Sequence, residues 1–183
     1  MVTSLRNCEV PWAISPTGSG LTLIHEETDV SPKCRVVLGA GRLTPDGRTD
    51  FRRIELVFEL AYFTRTTPHD DSQSASDYGF SVIDEYGGDI NTYLEWRKHE
   101  WRKTGVCPNP GFYIAESSDW LATVPDFFKQ NCNHYLLDGR DGHVELIASQ
   151  YRWSEWLIDE KTNREWSEIW PLDDAAYHSE NGG

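Results

Sequence analysis

The chain has 183 residues, with 17 Lys+Arg against 30 Asp+Glu, a formal net charge of −13, and eight Trp, eight Tyr and seven Phe. That length is enough for one domain with its own core, and the aromatic content excludes a disordered chain. The sequence holds no run of about 18 apolar residues, which excludes a transmembrane helix, and the excess of carboxylates argues against direct nucleic-acid binding.

In the first third, strands are expected at Glu9–Ile14, Leu21–Glu27 and Arg35–Leu38, separated by Pro16-Thr17-Gly18, Ser31-Pro32 and Pro45-Asp46-Gly47. The clearest strand runs from Phe51 to Arg65. Ile54, Leu56, Phe58, Leu60 and Tyr62 alternate with Glu55, Val57, Glu59, Ala61 and Phe63. The first set faces the core, and the second begins charged and turns apolar toward Phe63. Residues 66–77 read as an exposed loop, and Gly79–Glu85 as a further strand.

The periodicity predicts one main helix over Asp89–Lys103. Ile90, Tyr93, Leu94, Arg97 and Trp101 form a single stripe, Asp89 caps the start and Gly105 stops the end. Phe112–Ala115 is a short strand. Ser118 caps a brief helical turn, and Pro125 opens another. His134–Leu137 and His143–Ala148 form a hairpin around Asp138-Gly139-Arg140-Asp141-Gly142. Residues 151–158 fit a strand, and the tail 179–183 reads as disordered. These elements predict an α+β fold: one twisted antiparallel sheet of about seven strands, covered by the helix at 89–103, with short helical turns, as a single domain over 1–178.

Several local patterns resemble sites and fail on spacing. Gly39-Ala40-Gly41 lacks a third glycine and a following helix, so it is no phosphate loop. His25, Glu27 and Asp29 share a strand face, but the outer pair is about 13 Å apart, too far for one ion. Asp138 and Asp141 lack the oxygen-rich run of a calcium loop. Cys107, Cys132 and His134 are the weak candidates for a metal site, and Cys132 with His134 for a thiol–imidazole pair. Neighbours two apart on a strand lie roughly 7 Å apart, which disfavours that pair.

The four cysteines, at 8, 34, 107 and 132, include no C-x-x-C pair, and residues 1–8 hold no apolar stretch of signal-peptide length. Both features point to reduced thiols in the cytoplasm, with no cofactor implied. The acidity is concentrated late, with 5 basic against 14 acidic residues in 116–183. There Trp153, Glu155, Trp156, Asp159, Glu160, Glu165, Trp166, Glu168, Trp170, Asp173 and Asp174 combine indoles with carboxylates. Indoles supply desolvated contact area and carboxylates meet Arg and Lys. The expected function is therefore an acidic cytoplasmic protein-binding domain, with no membrane partner. Its concrete form is an immunity or antitoxin-type inhibitor of a basic effector such as a toxin or nuclease. The alternatives are a small metal-assisted enzyme or ligand-binding module with a Cys/His site on the sheet, and a carbohydrate binder using exposed indoles.

Overall fold

A computed structural model describes residues 4–15, 21–26, 32–68, 89–139, 142–157 and 178–180. Strands β1 (Leu5–Asn7), β2 (Trp12–Ile14), β3 (Thr22–Glu26), β4 (Lys33–Leu43), β5 (Thr49–Glu59) and β6 (Phe63–Pro68) precede helix α1 (Ile90–Thr104). Strand β7 (Phe112–Ala115), helices α2 (Asp119–Thr123) and α3 (Asp126–Asn131), and strands β8 (Asn133–Asp138), β9 (Gly142–Ala148), β10 (Gln150–Leu157) and β11 (His178–Glu180) follow. β11 pairs with β10 at the start of the segment that reads as a tail.

The expected α+β fold is corrected here. The chain is mostly β and builds two antiparallel sheets, one ordered β1-β7-β8-β9-β6 and the other β11-β10-β5-β4-β2 with β3 also on β4. The helices are short additions. α1 packs Trp101 against Ala13, Cys107 and Leu43, and the Trp101 indole donates to the Pro11 carbonyl at 3.2 Å. It leaves Ile90 and Leu94 exposed. Its ends are as expected: Asp89 accepts from the Asn91 amide, and Gly105 takes the left-handed conformation at φ 74°. Among the described residues no helix is long and apolar enough to cross a membrane.

The physical reason for two sheets lies in the long alternating run. It is two strands, not one. β5 ends at Glu59, Leu60 turns at φ 51°, and β6 begins at Phe63 in the other sheet. A left-handed leucine is uncommon, because its Cβ crowds the following carbonyl. The neighbouring ribbon turns at the same level. β9 pairs with β6 and β10 with β5, with only Ser149 between β9 and β10. The Ser149 amide and hydroxyl both donate to the Glu59 carbonyl, at 3.0 and 3.1 Å. Strands that change sheets at a corner close a sandwich without a separate connection.

The inward faces then meet. Cys34, Val36, Leu38, Ile54, Leu56 and Phe58 from one sheet share a core with Phe112, Ile114, Tyr135, Leu137, Val144 and Leu146 from the other. Rings dominate its centre. Phe112 stacks on Trp12 at 6.0 Å and meets Tyr151 edge-on at 4.9 Å, with Phe58 and Tyr135 also in ring contact. Large rings suit this space because facing sheets stand about 10 Å apart. Gly111 permits the tight entry to β7: at φ +75°, a Cβ there would lie 3.1 Å from the Ile14 Cβ.

Because Phe112 is the hub of that ring cluster, Phe112→Ala is expected to lower stability by about 3–5 kcal/mol in chemical denaturation. Phe51→Ala, at a ring 59% exposed, should change it by less than about 0.5 kcal/mol. Equal losses at the two positions would contradict this packing.

Candidate functional site

The outward face of the five-stranded sheet carries the most concentrated chemistry among the described residues. The alternation that sends Val144, Leu146 and Ala148 inward sends His143, Glu145 and Ile147 outward. Register places Arg65 directly across from Glu145 on β6, and His134 across from Ile147 on β8. His134 is therefore a diagonal neighbour of Glu145. Helices α2 and α3 lie over this face, where Phe63, Trp120, Leu121 and Phe128 pack around Val124, Cys132 and Ile147.

A polar chain runs beneath that apolar cover. The Ser118 Oγ lies 2.7 Å from His134 Nδ1, and His134 Nε2 lies 2.8 Å from a Glu145 carboxylate oxygen. Arg65 grips the same carboxylate with two hydrogen bonds of 2.6 Å, from Nε and Nη2. The Arg65 guanidinium stands over the Trp120 ring at 4.3 Å, and that ring meets His134 edge-on at 5.1 Å. His143 approaches the other Glu145 oxygen at 3.8 Å.

The partners fix the protons. Burial alone raises a carboxylate's pKa. Here the hydrogen bonds from His134 and Arg65 and the Arg65 charge overcome that and hold Glu145 down at about 2. An ionised carboxylate only accepts, so His134 Nε2 carries a hydrogen, and in the neutral imidazole Nδ1 accepts from the Ser118 hydroxyl. Ser118 Oγ in turn accepts the Leu121 amide at 3.0 Å, as the cap of α2. Each group in the line donates in one direction: Ser118 to His134, His134 to Glu145. Such an arrangement can fasten a helix to a sheet, and it can also take a proton from a serine.

The residues singled out in the sequence fall as follows. Cys107 is buried beside Trp101 and Ala13, where burial pushes its thiol up against the opposing Arg97 charge. Cys132 lies under α3 in the other cluster, and burial pushes its thiol up too. His134 has both ring nitrogens engaged, so neither a metal site nor a thiol–imidazole pair forms from these three. Among the described residues no group of three His, Cys, Asp or Glu could hold a metal ion. Trp153 is in the core, edge-on to Trp12 at 6.1 Å, Glu155 is paired with Arg42, and Trp156 is half-buried. Asp159, Glu160, Glu165, Trp166, Glu168, Trp170, Asp173 and Asp174 lie outside the described residues, as do 69–88.

Ser118, Glu145 and Arg65 were not singled out in the sequence as site residues. A separate feature was also missed: Tyr62, 40% exposed, and Phe127, 60% exposed, both make ring contacts with Phe128, at 4.6 and 5.4 Å. The result is an aromatic group at the surface, rooted in the cluster under α3.

Compared with protein-family models, with curated proteins and with solved structures, the chain finds no match in any of the three.

The low pKa of Glu145 has a measurable sign. A carboxylate held near 2 when folded, against about 4.5 ordinarily, contributes stability that is complete above about 4.5 and is lost as pH falls through 2. Glu145→Gln mimics the protonated form. It should be roughly 3 kcal/mol less stable than the native chain at pH 7, with the gap closing toward pH 2. Denaturation curves across that range give the result, and a gap independent of pH would mean the carboxylate is not held ionised by its partners.

Proposed function

We propose that this chain is an acidic protein-binding module for a partner with a basic surface, with Tyr62, Phe127 and Phe128 as its apolar anchor. The observation that carries the reading is the exposure of Tyr62 and Phe127 on a chain of net charge −13. Solvent-exposed aromatic groups of this kind mark contact sites, and rings are the residues that dominate binding energy. The charge selects the partner. Among the described residues, eleven of the Lys and Arg side chains are already in ion pairs within the chain, including Arg35–Glu55, Arg42–Glu155, Lys33–Glu59 and Lys129–Asp126. The unbalanced carboxylates set the outer potential, which speeds encounter with cationic proteins and repels anionic ones. The acid-rich run from Asp159 to Asp174 adds to the same potential.

An inhibitor of a basic effector, of the immunity or antitoxin kind, is the form this reading takes. A cytoplasmic setting belongs to it, supported by four cysteines that are all buried thiols.

The test is selection of binders from a random 12-residue peptide library, followed by titration of the enriched peptides. The reading expects Lys/Arg-rich peptides carrying an aromatic or Leu anchor, with binding that weakens as salt rises. Phe127→Ala should weaken them about tenfold or more. Enrichment of neutral or acidic peptides, indifference to Phe127→Ala, or burial of the patch by self-association in light scattering would each overturn it.

A further inference from the structure

The line Ser118–His134–Glu145 has a use that protein binding does not need. We propose that Ser118 is an acylatable nucleophile, with His134 as its general base and Glu145 as the positioning residue, acting on small uncharged carboxylic esters.

The geometry supports each role separately. A nucleophile and its base must lie within about 2.6–3.2 Å, and the base must be oriented by a third group. Ser118 and His134 are 2.7 Å apart, and His134 and Glu145 2.8 Å. Glu145 is itself fixed by the two-pronged grip of Arg65, and its side chain is only 1% exposed. The imidazole therefore cannot swing away from the serine without giving up its hydrogen bond to that buried carboxylate. The Leu121 amide donates to the attacking oxygen, so it also stabilises negative charge that grows there as the proton leaves. Ser118 itself is half-buried and not sealed.

The step balances as follows. Ser118 Oγ attacks the ester carbonyl carbon while its proton passes to His134 Nδ1. The alkoxide leaves and takes that proton, which gives an acyl-serine and an alcohol. Water then attacks the acyl carbon, its proton passes to the same nitrogen and from there to the departing Ser118 Oγ, and the carboxylic acid and the free serine are released. The half-buried Trp120 ring and Leu121 side chain beside the line favour an apolar acyl group, and the net charge disfavours anionic esters.

The experiment uses the full chain, an alkyl fluorophosphonate and p-nitrophenyl acetate. Fluorophosphonate transfer forms the Oγ–P bond and expels fluoride, so the adduct is stable and can be mapped by mass spectrometry. Modification at Ser118 on the order of 100-fold faster than at other serines is expected, together with a burst of nitrophenol. Ser118→Ala should abolish both, and Glu145→Gln should slow labelling more than tenfold. Because Ser118→Ala also removes the helix cap, Ser118→Cys serves as the second variant. Its thiol should be alkylated by iodoacetamide at neutral pH much faster than the four buried native cysteines. Restoration of fluorophosphonate labelling at Ser118 to His134→Ala by added imidazole would separate a base from a structural prop. No adduct at Ser118 on the folded native chain, labelling at Ser117 instead, or an unreactive Ser118→Cys thiol would overturn the proposal.

Discussion

Two ribbons bend together at the Glu59 carbonyl, and most of the molecule follows from that bend. Its oxygen receives both donors of Ser149 while Leu60 takes a left-handed turn next to it. Each ribbon thereby contributes one strand to each sheet, so the sheets cannot slide relative to one another without tearing a ladder. A β ladder also has a side-chain period of two, so the register above the bend is as fixed as the register below it. That register faces Arg65 with Glu145, which means the polar line on the outward surface is set by a corner some distance away.

An ionised Glu145 beneath aromatic helices is an expensive arrangement on its own. Desolvating a carboxylate costs several kcal/mol, and it is tolerated here because every oxygen has a cationic or N–H partner. The gain is positional. Apolar contacts from Val124, Leu121 and Phe128 would accept several placements of two short helices, since such contacts are non-directional. One hydrogen bond from Ser118 to His134 accepts only one. Arg65, 45% exposed, lets water share the charge at one end, which limits the penalty at the other.

Local signals in the sequence are faithful and the long-range ones are not. Asp89 and Gly105 bracket the helix as capping chemistry requires, Ser118 caps α2, and the hairpin around residue 140 pairs as its Asp-Gly turns imply. The division into two sheets was harder to read, because β5 and β6 share one unbroken alternation and a leucine, not a glycine, makes the turn. A trace of it is present: the second face of that run goes from Glu55 to Ala61 and Phe63, which is what a strand does when it leaves one environment for another. His134 shows the same limit. Sequence offers Cys132 as its neighbour, two residues away on the same face, yet its partners are a diagonal glutamate and a helix cap. The glutamate follows from the hairpin register once Asp138 is set against His143. The cue was a buried-face histidine and glutamate on paired strands, next to a capping serine.

The fate of the indoles is a question of space more than of composition. Trp153 shares an alternating strand with Tyr151, and both point into the gap between sheets, where Trp153 meets Trp12 and Tyr151 meets Phe112. Trp120 instead lies on the outside, clamped between the Arg65 cation and the His134 ring. It is rigid there because the groups on both sides are themselves bonded. Rigid aromatic surface lowers the entropy lost on docking, and a rigid imidazole raises the fraction of time a serine is aligned for attack. The same polar line therefore benefits either use of this face. What separates them is the place each engages: a docked protein rests on Tyr62 and Phe127, and an ester on the half-buried Ser118.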